Sequence, residues 1–469
     1  MKTARVNIHA VRSINFRTDA SYHLSEGQNV QRCIAASPYP LTTIKEVSED
    51  IFIGNRAKRV YVKDSNHGIP FLSSSDILKA DLDNVKLASK KYTPEIERMS
   101  LKKGWTLISR SGTIGNCAFA NAKHAQKLAS EDVIRLVPNN ILRGGLVYAY
   151  LASKYGHSLL TQGTFGAVIQ HIEPAFVGSI AIPLFPDSFQ QDVDDLIQEA
   201  ARLREESADM LTKAELLLKT EANLRELTSE DYDYFGPRNA ERKVSCFTVK
   251  RKDINTTTIN AFNLSERIRK TKASITCKTK PLKEVLLNGD TFSSSSVPSI
   301  EVKPEHGVMF INQKDIFDNI IKGKWVSKRN VSLDRLVEYG EVIVACDGTL
   351  GESELFCRAL FANEDLSGAL ISTHFIRMKS DGVPSGYLYT WLNSDYGFRF
   401  IRNCQAGTKL CHPIPKMFLE IPVPIISEES MNKIDKAVKD AYTKRYDANN
   451  CERKAIRIIE QEIEKWNKH

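Results

Sequence analysis

The sequence predicts an α+β chain: two similar, mostly-β domains with short helices, separated by two long antiparallel coiled-coil helices. An internal repeat makes the whole pseudo-two-fold. Three observations predict this. The stretch Ser188–Leu227 has no proline or glycine, and its apolar or small residues recur at alternating steps of four and three. A second stretch of the same kind closes the chain. Six sequence blocks of the first half return in order in the second.

A chain of 469 residues with 42% hydrophobic content has room for several cores. No apolar run approaches the roughly 20 residues needed to cross a bilayer. The N-terminus, MKTARVNIHAVRSINF, is too polar for a secretory signal. Nine cysteines without a CxxC pair are expected to be reduced thiols of a cytoplasmic protein. Cys404, Cys411 and His412 cluster loosely but fall short of the four ligands of a structural zinc, so no metal is expected.

Residues 1–186 form the first predicted domain. From Thr42 a strand rhythm begins with TTIKEVSEDIFI, RVYVKD, GIPFLSSSDI, WTLISRSGTIG, NCAFA and VIRLVP, broken by Gly, Ser, Asn and Asp turns. VYAYLASKYGHSLL reads as one helix, and IAIPLFP as a last strand ended by its prolines.

Residues 187–228 are the predicted central long helix. Leu196, Ala200, Leu203, Ser207, Met210, Ala214, Leu217, Glu221 and Leu224 trace its seam. At about 1.5 Å per residue such a rod is roughly 60 Å long. Residues 229–258 are polar, without clear period, and read as a connector.

Residues 259–426 form the second predicted domain and repeat the first. Leu24-Ser25-Glu26 returns as Leu264-Ser265-Glu266, and Lys45-Glu46-Val47 as Lys283-Glu284-Val285. GIPFLSSSDI matches GVMFINQKDI, GWTLISRSGTIG matches GEVIVACDGTLG, YAYLASKYG matches YTWLNSDYG, and IAIPLF matches IPVPII. The offsets are 240, 238, 239, 236, 241 and 241 residues, so only small insertions separate the copies. Residues 427–469 are the C-terminal long helix, with Ile434, Val438, Ala441, Ala448, Ala455 and Ile459 on its seam. Pairing the two seams antiparallel would hide both apolar faces.

Charge separates along the chain. Residues 1–186 carry 23 Lys/Arg against 14 Asp/Glu, the rod at 188–227 carries 5 against 10, and residues 259–426 carry 21 against 18. Basic globular parts with an acidic rod suit a DNA-binder whose spacer faces protein. Contacts to double-stranded DNA are expected from polar and basic loop side chains, since Arg and Lys suit phosphates and guanine edges while Asn and Gln suit adenine. In the first domain these are Arg56, Lys58, Arg59, Lys63, Ser73, Ser74, Ser75, Lys90, Lys91 and Arg110. In the second they are Asn312, Gln313, Lys314, Lys322, Lys324, Lys328 and Arg329.

No catalytic constellation is legible. The turns Ser111–Gly115 and Asp347–Gly351 lack the lysine of a phosphate-binding loop, and the residues after them, NCAFA and ESELFC, read as strand. There is no [ND]-P-P-[FYW] tetrapeptide of an amino-methyltransferase. Glu301-Val302-Lys303 with Asp290 is the nearest approach to a nuclease motif, and His171 and His412 occupy matched places in the copies. An enzyme with an unfamiliar site and a helical interaction scaffold are the readings that stand against DNA specificity.

The order DASYHLSEG, GIPFLSSSDI, LISRSGTIG, HIEPAFVGSIAIPLF and a Gln-bearing long helix, repeated once, resembles the specificity subunits of type I restriction–modification systems. The second copy departs with ACDGTLG and HPIPKMFLEIPVPII. The resemblance implies a non-catalytic subunit of a phage-defence system, whose two target recognition domains each read part of a split, asymmetric DNA site. It also implies methyltransferase subunits docked on the helices, with S-adenosylmethionine bound in those partners and no cofactor in this chain. A motor-nuclease subunit would join for cleavage. A specificity subunit of a type II or other phage-defence system shares the same plan.

Overall fold

A computed structural model describes residues 6, 8–13, 18, 20–56, 58–139, 141–164, 170–228, 231, 247–251, 254, 257–294 and 300–466. Most of the expected connector lies outside the described residues. By packing, the chain divides into two compact units, Met1–Glu205 with Asp447–His469, and Glu206–Tyr446. Each unit therefore contains a globular part and half of each long helix.

The first unit begins with helices α1 (Ile8–Ser13), α2 (Ala20–His23) and α3 (Glu26–Ala35). Val30 and Ile34 of α3 face its core. Strands β1 (Leu41–Thr43), β2 (Ser48–Ile53), β3 (Tyr61–Val62), β4 (Gly68–Leu72) and β5 (Lys86–Ser89) follow, then α4 (Ile96–Met99). Next come β6 (Thr106–Ser109), β7 (Cys117–Phe119), β8 (Leu128–Ala129) and β9 (Val133–Pro138). One four-stranded sheet has the order β2-β9-β6-β7 and is antiparallel throughout. The other, β3-β5-β4-β8, is closed by a parallel β4–β8 pair.

The segment expected to be one helix is two, α5 (Gly144–Ala152) and α6 (Lys154–Gln162). Ser153 is the reason: its hydroxyl accepts the Gly156 N–H at 3.2 Å and caps the new helix. Gly156 lets the chain turn, because a Cβ there would stand 2.1 Å from the Tyr150 carbonyl oxygen. Helix α7 (Pro174–Ser179) leads to β10 (Ala181–Pro183), which pairs back with β1.

Helix α8 runs Asp187–Glu221. It ends before the expected Leu227 because Asn223 takes a left-handed backbone (φ +49°), and the Leu224 N–H turns back to the Lys219 carbonyl at 2.9 Å. In the first unit Val193, Ile197 and Ala201 of α8 are buried in one core with Leu146, Tyr150 and Phe185 of the globular part. Its face is thus wider than a heptad seam. Ile197 is buried and Leu196 only half-buried, a shift of one residue from the expected series.

The second unit carries elements in the same order. Helix α9 (Glu266–Ala273), β11 (Thr279–Pro281), β12 (Gly307–Ile311) and β13 (Lys324–Ser327) precede β14 (Val342–Ala345), β15 (Ala359–Phe361), β16 (Leu370–Ile371) and β17 (Phe375–Met378). Helices α10 (Ser385–Asn393) and α11 (Asp395–Asn403) again break at a serine, Ser394, whose hydroxyl accepts the Gly397 N–H at 3.3 Å. Strands β18 (Gln405–Ala406) and β19 (His412–Pro413), helix α12 (Pro415–Phe418) and β20 (Pro422–Pro424) complete it. Sheets β13-β12-β16 and β15-β14-β17 stand where the first unit has β5-β4-β8 and β7-β6-β9. The segment after the second glycine turn, expected as strand, stays irregular until β15 begins at Ala359.

Both units bury an arginine in the middle of a strand. Arg135 of β9 donates to the carbonyls of Ala129, Ser130, Val133 and Met99, and burial lowers its pKa to about 10. Arg377 of β17 instead meets Glu341 through two 2.8 Å bonds and caps the Arg335 and Leu336 carbonyls.

Helix α13 (Glu428–Lys465) runs opposite to α8 within each unit. In the first, Arg204 reaches Glu452 at 2.5 Å and Asn449 at 2.9 Å, while Trp466 packs on Phe185 near the start of α8. In the second, Lys444 meets Glu206 at 2.8 Å, Arg445 meets Ser207 at 3.2 Å, and Ser430 meets Glu221 at 2.8 Å. Ile434, Val438, Ala441, Ala448, Ala455 and Ile459 are all fully buried. Of the expected α8 seam, Ala200, Leu203 and Ala214 are buried, whereas Met210 and Leu217 are half-buried and Leu224 lies past the helix end. Leu218 takes the buried place beside Leu217.

Candidate nucleic-acid interface

In each unit the β4–β5 or β12–β13 register decides which loop residues meet. Phe71 pairs with Lys86 and Gly68 with Ser89, so Ser73–Ser75 leave one end of the hairpin and Lys90–Lys91 the other. Likewise Phe310 pairs with Lys324 and Gly307 with Ser327, so Asn312–Lys314 share an end with Lys322 while Lys328 and Arg329 lie at the opposite end. The expected contact residues that flank these strand pairs therefore fall at two opposite ends in each unit.

The serine loop of the first unit is self-organised. Ser73 donates its backbone N–H and its hydroxyl to Asp76 at 2.8 and 2.6 Å, closing the turn that starts the Asp76–Leu78 helical turn. Ser74 faces the glycine turn, its hydroxyl 3.9 Å from where a Cβ on Gly112 would stand. Gly112 and Gly115 both take positive φ (+74° and +79°), which accounts for glycine at those places. The fold thus brings the SSS loop beside the SGTIG turn. Ser111 bridges to His171, which adds the segment before α7 to the same cluster.

Arg110 is less available than its sequence suggested. Its guanidinium is held by Glu173 at 2.5 Å and is mostly buried. Arg59 is held by Glu131 at 2.9 Å and Asp132 at 3.6 Å, over the Phe71 ring. Lys90 donates to the Asn66 carbonyl at 3.0 Å, and Lys91 lies over exposed Tyr92. Arg56, Lys58 and Lys63 are exposed.

The second unit builds the corresponding cluster from different groups. Gln313 donates its Nε2–H to the Asp347 carbonyl at 2.6 Å, tying the 312–314 loop to the DGTLG turn. The Asp347 carboxylate accepts Nδ1–H bonds from both His374 and His412. Gly348 bridges to Cys411. Glu352, directly after the turn, is gripped by Arg399 through two bonds of 2.8 and 2.6 Å and by Arg402 at 2.5 Å. Burial alone would raise its pKa, but those guanidinium groups outweigh it and hold the carboxyl below its usual value. Lys324 pairs with Glu301 at 2.5 Å, and Lys314 stands 4.0 Å from Asp315. Lys322, Lys328 and Arg329 are exposed.

His374 and the anchors Glu173, Arg399 and Arg402 were not among the expected site residues. Their pairings join residues 27 to 63 positions apart, and a lone His, Glu or Arg carries no periodic signal. Among the described residues, no group of three His, Cys, Asp or Glu could hold a metal ion.

Against solved structures, the chain is similar to the type I restriction–modification S subunit from M. genitalium, at 12% identity and TM-score 0.33. That match covers 92% of this chain and 96% of that one. A chain from a study of complex assembly and conformational transition in the type I R-M system matches at 15% identity and TM-score 0.28, over 91% and 98%. The HsdS subunit from Thermoanaerobacter tengcongensis matches at 13% and 0.28, over 91% and 97%. Two of these three neighbours are named as S subunits of type I systems. At these identities and TM-scores the likenesses decide no residue's role here. No protein-family model matches the sequence, and no curated protein matches it.

Proposed function

We propose that this chain is the DNA-specificity subunit of a type I restriction–modification complex. Each globular part would be a target recognition domain reading one half of a split, asymmetric site. The observation that carries this reading is one cluster built twice from different side chains. A polar loop and a glycine turn meet in both units, presenting Ser73–Ser75 and His171 in one and Gln313, His374 and His412 in the other. A shared framework with unlike polar groups suits two unlike half-sites, because hydrogen-bonding side chains at base edges carry sequence information.

The order of elements supports a duplication. From α5 and α10 onward, matching residues of the two copies are 241 apart: Ser153 with Ser394, Gly156 with Gly397, Ile197 with Val438, Leu218 with Ile459. The opposed halves of α8 and α13 in each unit support an antiparallel coiled-coil pair. Its acidic α8 surface would dock methyltransferase subunits, which bind S-adenosylmethionine, and a motor-nuclease subunit would complete the complex in the cytoplasm. This chain would carry no catalysis of its own.

Affinity purification of the tagged full chain, co-expressed with candidate methyltransferase and motor-nuclease subunits, tests the reading. Recovery of the methyltransferase in a complex that methylates DNA, with no activity of the chain alone, is expected. Methyl transfer or cleavage by the single chain would overturn it.

A further inference from the structure

The Asp347 carboxylate stands between two imidazoles. It is only 15% exposed, while the His374 and His412 side chains are 55% and 54% exposed, so the shared acceptor lies inward and the free ring edges outward. A carboxylate only accepts hydrogen bonds, so both Nδ1 atoms facing it must carry hydrogen. In the neutral ring that leaves Nε2 with an unshared lone pair. In neutral rings one mostly buried acid therefore fixes the same tautomer twice and turns two acceptors toward solvent. The Gln313 bond to the Asp347 carbonyl places the 312–314 loop at the same spot. The first unit has no counterpart, since Ser111 stands where the second has Asp347.

We propose that His374 and His412 are an amino-group reader of the second unit. Their outward Nε2 atoms would accept from the exocyclic amino group of adenine or cytosine in the major groove. Guanine O6 and thymine O4 present lone pairs at that edge and would be rejected. Asp347 is the positioning residue. This proposal rests on the reading of the chain as a DNA-specificity subunit.

The test uses the full chain in complex with its methyltransferase partner, incubated with random-sequence duplexes, and sequences the bound fraction. The wild type is expected to select adenine or cytosine at one or two positions of one half-site. His374→Ala and His412→Ala should lose that selection and keep the other half-site. Asp347→Asn, whose amide can donate to the rings and release the tautomer, should relax the same positions. In a second arm, purine replaces the selected adenine, or pyrimidin-2-one the selected cytosine, removing only the amino group. The wild type should weaken on the order of tenfold, and the double histidine variant should not respond. Histidine variants selecting the wild-type sequence, or a wild type indifferent to the amino group, would overturn the proposal. A wild-type complex that selects no sequence at all would instead sink the specificity reading, and this proposal with it.

Discussion

Asp194 of α8 accepts the backbone N–H of Gly145, the second residue of α5, at 2.7 Å. Asp435 of α13 does the same for Gly386 of α10 at 2.8 Å. A carboxylate from each long helix thus caps the first turn of a domain helix, where orphan N–H groups and the helix dipole favour negative charge. The approach is close enough to require glycine. A Cβ on Gly145 would meet Asp194 Oδ1 at 2.5 Å, and one on Gly386 would meet the Asp435 Cα at 2.9 Å.

Gly145→Ala and Gly386→Ala should each destabilise by about 1–3 kcal/mol through overpacking. Gly386→Ala should be the worse, because the atoms in its way are mostly backbone and cannot swing aside. Chemical denaturation of the two variants, compared by midpoint, checks the order.

The helix register predicts an asymmetry between neighbours. Leu218→Asp should cost about 3 kcal/mol or more, because an unpaired charge would enter the core beside Ile434 and Val438. Leu217→Asp, at a half-buried position, should cost visibly less. Equal losses would restore the seam expected from the heptad pattern.

Arg204, Glu452 and Tyr148 form a buried network in the first unit. Tyr148 donates to Glu452 Oε1 at 2.6 Å and Arg204 holds Oε2 at 2.5 Å. Burial, then the Glu452 charge, pushes the Tyr148 pKa well up, so its hydroxyl stays a donor. Glu452→Leu should cost about 3–5 kcal/mol by stranding the Arg204 charge, and adding Arg204→Leu should recover much of the loss. A double-mutant cycle on unfolding free energies measures the coupling.

His124 supplies a pH signature. Its Nε2–H donates to the Ile77 carbonyl at 3.2 Å and its Nδ1 accepts the Asn121 N–H at 3.3 Å. Burial lowers its pKa to about 4. The unfolded chain, with a pKa near 6.5, therefore binds the extra proton first as pH falls. The stabilisation is fully present above about pH 6.5 and lost as pH falls toward 4, amounting to about 2 kcal/mol by pH 5. Melting at pH 7.5 and 5.0 should show a larger drop for the wild type than for His124→Gln.

What was legible in the sequence followed from periodicity and local chemistry. All six expected α13 seam positions are buried, although Arg445 and Glu452 interrupt their apolar series at two steps. The α8 seam slipped at Leu196 and Leu217, since that helix also covers its own globular core and Ile197 and Leu218 offered equally apolar neighbours. The end of α8 hung on the backbone angle of Asn223, and the break between α5 and α6 on Ser153, a capping residue inside a helical pattern. The glycine turns were legible as turns. The salt bridges that claim Arg59 and Arg110, and the meeting of Asp347 with His374 and His412, depend on which strands are neighbours, and no local pattern encodes that.

The most direct test of the central claim is methylome sequencing of cells that express this chain with its cognate methyltransferase. Modification at a split motif is expected, with two unlike specific halves around a fixed run of unspecified bases. Exchanging residues 259–426 for those of another such chain should change one half only. A single continuous motif, or a motif indifferent to this chain, would contradict the account.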